Sequence, residues 1–161
     1  MITQKELKDI LRYNEKTGIF TWVNSKSGVS KNMAAGTKTY SKYIRIIINK
    51  KSYFAHRLAW LYVYGYFPSY IDHINTDKSD NRLCNLREAT NSENQCNKKL
   101  TKNNTSGVKG VSWFARDNNW RARIQFNGSN FHLGYFDTLN EAKDAVDKAR
   151  LKLHGEFSNH G

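Results

Sequence analysis

Ten residues near the middle of the chain, 97–106 (NKKLTKNNTS), constrain the fold most. They are polar and basic and lack both the two-residue and the 3.6-residue apolar repeat, so they read as a linker. They divide a chain of 161 residues into two parts with separate apolar patterns: 1–98, then a spacer at 99–106, then 107–161. That length suits two small folding units.

In the first part, Thr3 and Glu6 form a capping-box signal, and Leu7, Ile10 and Leu11 share one helical face, which predicts a helix over 3–13. Gly18 breaks it, and 19–23 (IFTWV) reads as a strand. Residues 24–41 read as a basic, glycine-containing loop. Residues 43–48 and 52–55 flank a polar turn and predict a hairpin. Leu58, Ala59, Leu61, Tyr62 and Val63 predict a buried helix over about 55–64, ended by Gly65 and the only proline, Pro68. A strand at 71–75, a polar turn at 76–82 and a return strand at 83–88 follow. Thr90 and Glu93 then open a helix over 91–98.

In the second part, three strand-like runs at 107–116, 120–127 and 130–136 are separated by two short turns. Thr138 and Glu141 make a third capping box, after which Ala142, Ala145, Val146, Ala149 and Leu153 recur at helical spacing. The expected fold is α+β, ending in a three-stranded meander with one helix laid on it.

Charge narrows the partner. Lys and Arg number 26 against 14 Asp and Glu, a formal charge of +12. Between Glu15 and Asp72 lie Lys16, Lys26, Lys31, Lys38, Lys42, Arg45, Lys50, Lys51 and Arg57 and no acid. A second acid-free stretch between Glu93 and Asp117 holds Lys98, Lys99, Lys102, Lys109 and Arg116. Long acid-free runs suit a phosphate backbone, through release of condensed counterions. A mean hydropathy of −0.76 argues against a membrane protein, and 13% aromatic residues against disorder. The polar start of the chain lacks a secretory apolar stretch. Cys84 and Cys96 show neither a disulfide framework nor zinc spacing, so they are expected to be reduced thiols in a cytoplasmic protein.

One constellation carries chemistry. Asp72 and His73 are adjacent on the predicted strand, so their side chains leave opposite faces. Asn85 lies on the return strand, and Asn94 in the first turn of the helix after it. A carboxylate and an amide oxygen are hard ligands suited to Mg²⁺. A neutral imidazole can take a proton from water near neutral pH. Asn75, Asp77, Asp80 and Asn81 read as turn formers, and His56 as a packed or locally bonded residue. His132, His154 and His160 show no ligand spacing.

The segments Asp72-His73-Ile74-Asn75, Asp80-Asn81-Arg82, Asn85-Leu86-Arg87 and Ser92-Glu93-Asn94, with Ala55-His56-Arg57-Leu58-Ala59-Trp60 before them, resemble the HNH (ββα-metal) nucleases. The likeness is to phage homing endonucleases in which asparagine replaces the last histidine, and it covers roughly residues 1–98. The resemblance implies that Asp72 and Asn94 bind one divalent ion, Mg²⁺ or Mn²⁺, that His73 activates water, and that Asn85 fixes the His73 ring by a hydrogen bond.

Residues 107–161 resemble the APETALA/ethylene-response-factor type of DNA-binding domain, through Gly107-Val108-Lys109-Gly110-Val111, Trp120-Arg121-Ala122-Arg123-Ile124 and Leu133-Gly134-Tyr135-Phe136. That resemblance implies a sheet laid in the major groove. Strand alternation puts Trp120, Ala122, Ile124 and Phe126 toward the helix, with Phe131 and Leu133 on the same side. It turns Arg121, Arg123, Gln125, Asn127, Asn130 and His132 outward. The family motif adds Lys109, Ser112 and Arg116 to the DNA-binding set, while Ser112 and Phe114 stand where plant members carry arginines.

The expected activity is a metal-dependent homing-type DNA endonuclease acting on double-stranded DNA. It would nick one strand per monomer, in the bacterial cytoplasm if phage-encoded, with no obligatory protein partner. The alternative is a DNA-binding regulator without catalysis. An RNA-binding protein is disfavoured, since nothing resembles an RNA stacking module.

Overall fold

A computed structural model describes residues 1–25, 28, 30–101 and 103–159. Lys26, Lys102 and His160 of the sets above lie outside the described residues. The chain falls into two compact units, Met1–Ala89 and Thr90–Gly161, and the expected spacer at 99–106 lies inside the second. Both are mixtures of helices and small antiparallel sheets, as the α+β expectation requires. Among the described residues no helix is long and apolar enough to cross a membrane.

The first unit opens with α1 (Gln4–Ile10), whose Thr3 cap and Glu6 form a reciprocal capping box. The helix stops earlier than expected. Leu11 and Tyr13 are buried while Arg12 and Asn14 are exposed, a two-residue alternation, and this segment is strand β1 (Leu11–Asn14). It pairs with β2 (Ile19–Trp22) across a turn in which Asn14 Oδ1 accepts from the amides of Lys16 and Thr17. The expected loop at 24–41 contains a short strand, β3 (Thr37–Lys38), paired to β4 (Ile44–Ile48), which in turn pairs with β5 (Lys51–Phe54). Helix α2 (Ala55–Tyr64) follows directly and ends at Gly65 in the left-handed region. The core gathers Leu7, Leu11, Phe20, Ile46, Ile48 and Leu58, all essentially inaccessible. The unit closes with β6 (Tyr70–His73), a polar turn, a single 3₁₀ turn at Leu83–Asn85 and β7 (Leu86–Ala89), antiparallel to β6.

The second unit begins with α3 (Asn91–Cys96), opened by the Thr90–Glu93 capping box. Strands β8 (Val111–Phe114), β9 (Asn119–Phe126) and β10 (Ser129–Phe136) form the expected meander in the order β10-β9-β8. Helix α4 (Leu139–His154) covers one face, with a 3₁₀ turn at Gly155–Phe157 after it. The core is small: Val111, Ala122, Ala142 and Val146, flanked by Trp120, Leu133 and Phe136. Gly110 is needed at its edge. Its φ is +88°, and a Cβ there would lie 2.5 Å from the Arg123 carbonyl oxygen. A bulge between His132 and Gly134 lets Leu133 reach the core. Phe131 pairs with Ile124 on the helix side, as alternation predicts, yet remains 45% exposed.

Candidate active site and DNA-binding face

Strand β6 ends in the sequence Ile71-Asp72-His73, and all three residues are buried. Buried polar groups need partners. Asp72 stands opposite Arg87 in the β6–β7 register, and its Oδ2 accepts from both Nε (2.9 Å) and Nη2 (2.7 Å) of that guanidinium. Arg87 was not foreseen as a site residue. Its signal was the hairpin register, which sets the two residues across from each other.

His73 Nε2 lies 3.4 Å from Asn81 Oδ1. The Asn81 amide nitrogen donates to the Ser79 carbonyl, so its oxygen faces the ring. An acceptor oxygen at that position suits the tautomer with the proton on Nε2, which leaves Nδ1 as the basic nitrogen. Burial lowers the His73 pKa from its ordinary 6.5, opposed by the Asn81 hydrogen bond and by the nearby charge of Asp72, Asp77 and Asp80. The imidazole is accordingly neutral at physiological pH. His56 packs edge-on against it, with ring centroids 5.0 Å apart, and Tyr43 lies at 6.0 Å. His56 is itself pushed down to about 3, first by burial and then by His73.

Asn85, expected to fix the His73 ring, has side-chain hydrogen bonds within the turn. Asn85 Oδ1 accepts from the Asn75 amide at 2.9 Å, and Nδ2 donates to the Asp80 carbonyl at 2.8 Å. Asn81 takes the place beside the histidine. Its carbonyl also accepts from the Tyr13 hydroxyl at 2.6 Å, which ties β1 to the turn. Close approach of β1's own turn requires Gly18: at φ +72°, a Cβ would lie 2.5 Å from the Asn81 carbonyl carbon and the Arg82 nitrogen. Asp80, gripped by Arg82 through Nε (2.8 Å) and Nη2 (2.6 Å), also accepts from Asn75 Nδ2.

Among the described residues no three His, Cys, Asp or Glu side chains cluster as a metal cage. Asn94 lies in α3, in the second unit. Asp72 offers a single carboxylate, its Oδ2 shared with Arg87, which fits an open site for a hard divalent ion better than a closed structural one.

On the second unit, register places Ser112, Arg121 and Tyr135 side by side across the sheet, with Arg123 beside His132 and Gln125 beside Asn130. This is the face away from α4. Phe114 shares it, with the guanidinium carbons of Arg116 and Arg121 each 5.4 Å from its ring centre and Tyr135 at 5.3 Å. Arg116 also pairs with Asp117. Lys109 differs from its expectation. Its ammonium donates to the carbonyls of Cys96, Lys98 and Asn159, so it is directed into the protein rather than onto this face.

An HNH endonuclease family model matches residues 53–96, and an AP2 domain model matches residues 106–156. Protein 3.8 of Escherichia phage T7 is 36% identical over 105 residues, covering 64% of this chain and 86% of that protein. The Uncharacterized HNH endonuclease L560 of Acanthamoeba polyphaga mimivirus is 28% identical over 141 residues, covering 86% of this chain and 65% of its own length. No solved structure matches the chain. Together the two matched domains indicate DNA binding. The chain belongs to the HNH endonuclease family and carries an AP2 domain behind its HNH segment.

Proposed function

We propose that the protein is a metal-dependent endonuclease of the homing type, nicking one strand of double-stranded DNA per monomer at a site held by the AP2 sheet. The observation that supports this most is His73: a buried imidazole beside Asn81, its pKa lowered by burial, adjacent to a buried carboxylate. Nδ1 takes a proton from the attacking water, while Nε2–H, held on Asn81 Oδ1, fixes the ring as the imidazolium forms. General-base help of this kind contributes about 10²–10⁴ in rate. Asp72 would hold a divalent ion, Mg²⁺ or Mn²⁺. The family resemblance gives the second ligand as Asn94. When bound, the ion would stabilise charge on the phosphate and the departing 3′ oxygen. Two protein ligands make a weak site, completed by phosphate oxygens and water. Ser112, Arg116, Arg121, Arg123, Gln125, Asn130 and His132 would contact DNA from the sheet and its first turn. The place of action is the host bacterial cytoplasm.

A second reading, a DNA-binding regulator without catalysis, is favoured by one feature: the Arg87 guanidinium already sits on Asp72 Oδ2. Titrating Mg²⁺ against cleavage of a supercoiled plasmid separates the two. Wild type should cut in proportion to bound metal, and Asp72→Asn should need far more metal or fail. An unchanged titration in Asp72→Asn removes Asp72 as a ligand, and no cutting by wild type at any Mg²⁺ or Mn²⁺ concentration favours the regulator.

A further inference from the structure

The HNH match ends at residue 96, and the AP2 match begins at residue 106, yet α3, the last helix of the HNH match, belongs to the second compact unit. Its attachments are specific. At its start, the Asn127 amide of the β9–β10 turn donates to Ser92 Oγ at 3.1 Å. At its end, carbonyls that lack helical partners need donors. Lys109 Nζ donates to the Cys96 carbonyl at 2.9 Å, to that of Lys98, and to that of Asn159 at 3.2 Å. Asn159 Nδ2 donates to the Asn97 carbonyl at 2.9 Å and to its Oδ1 at 3.1 Å. Arg150, almost wholly buried, holds the Lys109 carbonyl through Nη2 at 2.8 Å. A cation at a helix C-terminus is favoured by the helix dipole as well as by the open carbonyls.

We infer that Lys109 and Asn159 are positioning residues for cleavage: they anchor the C-terminal end of α3, and so the helix that carries Asn94, to the AP2 fold. The AP2 domain then does two jobs, holding DNA and holding the helix that carries Asn94. This rests on the nuclease reading, in which Asn94 is a metal ligand. Lys109 is half-buried, and burial together with the neighbouring Arg150 guanidinium lowers it to about 8. The three carbonyls favour the charged form, so deprotonation would weaken the anchor.

The test uses the full chain with Lys109→Met, Lys109→Arg and the milder Asn159→Ala. Single-turnover cleavage at saturating DNA should fall about 10–100-fold in Lys109→Met, the range seen when partners that orient a ligand are removed. The Mg²⁺ concentration for half-maximal rate should rise, and Lys109→Arg should recover part of the loss. DNA affinity and its salt slope should stay as in wild type, whereas a phosphate contact would lower the slope by about one. Amide exchange of residues 91–97 should speed up in both Lys109→Met and Asn159→Ala, with exchange in β9 unchanged. Unchanged cleavage in both variants, or unchanged exchange of 91–97, overturns the anchor. Absence of cleavage by wild type removes the nuclease reading instead, and the anchor then stands or falls on the exchange result. If Lys109→Met does not fold, Asn159→Ala decides by the same measurements.

Discussion

His73 and Asn81 are joined across the polar turn, Nε2 to Oδ1 at 3.4 Å, and Asn81 is held in place by Ser79 and by Tyr13 from a separate strand. Asn81→Ala removes the oxygen beside Nε2, while Asn81→Asp keeps an acceptor there. Cleavage by Asn81→Ala should fall about 10–100-fold with DNA affinity intact, and Asn81→Asp should retain more. Equal rates for wild type and Asn81→Ala would remove Asn81 from the site.

The Asp72–Arg87 pair is buried, with side chains 5% and 14% exposed. Removing one partner of such a pair costs about 3–5 kcal/mol. Arg87→Ala should therefore lower Tm clearly. If Asp72 faces a divalent ion, millimolar Mg²⁺ should recover part of that loss, because a ligand bound only to the folded state stabilises it. Thermal unfolding of the DNA-bound protein with Mg²⁺ and with EDTA reads this directly. Identical melting curves in the two would argue against metal at Asp72.

Acid should open the turn. The Arg82 hydrogen bonds depress the Asp80 carboxyl from 3.8 to about 2, helped by Asn75. A depressed carboxylate contributes stability that is present above its unfolded value and is lost as pH falls through the folded one. The loss belongs to the interval from 3.8 down to about 2. Asp80→Asn should be less stable at neutral pH and should lose less than wild type across that interval. Parallel stability curves for the two proteins would show that Asp80 contributes nothing.

Much of this arrangement was legible in the chain. The three capping boxes, at Thr3, Thr90 and Thr138, each open a helix. Alternation in 120–126 gave the buried Ala122 and Ile124 and the exposed Arg123 and Gln125. What the pattern left open were decisions among competing periods and partners. Leu11 fits both a helical face and a strand, and pairing with Trp22 decided for the strand. Asn81 and Asn85 are chemically identical, so only the path of the turn determines which one meets His73. Lys109 reads as a DNA contact by type, but its ammonium donates to the carbonyls of Cys96, Lys98 and Asn159.

Arg121 and Arg123 project from the face opposite α4, so truncation should spare the fold. Arg121→Ala also removes a cation from the Phe114 ring. If either arginine is bidentate to guanine, its loss should cost about 1–3 kcal/mol and relax preference at one base pair. If it meets phosphate, affinity should fall evenly and the salt slope should drop by about one. Binding to target and scrambled DNA at several salt concentrations tells these apart. Unchanged affinity of the double mutant throughout would mean that this face does not touch DNA.

The most direct measurement compares wild type with His73→Ala on supercoiled plasmid, with Mg²⁺ and with EDTA, alongside DNA affinity. Wild type should convert supercoiled to nicked circles only with Mg²⁺. His73→Ala should bind DNA equally well and nick roughly 10²–10⁴ times more slowly. Nicking by His73→Ala at the wild-type rate would contradict His73 as the base.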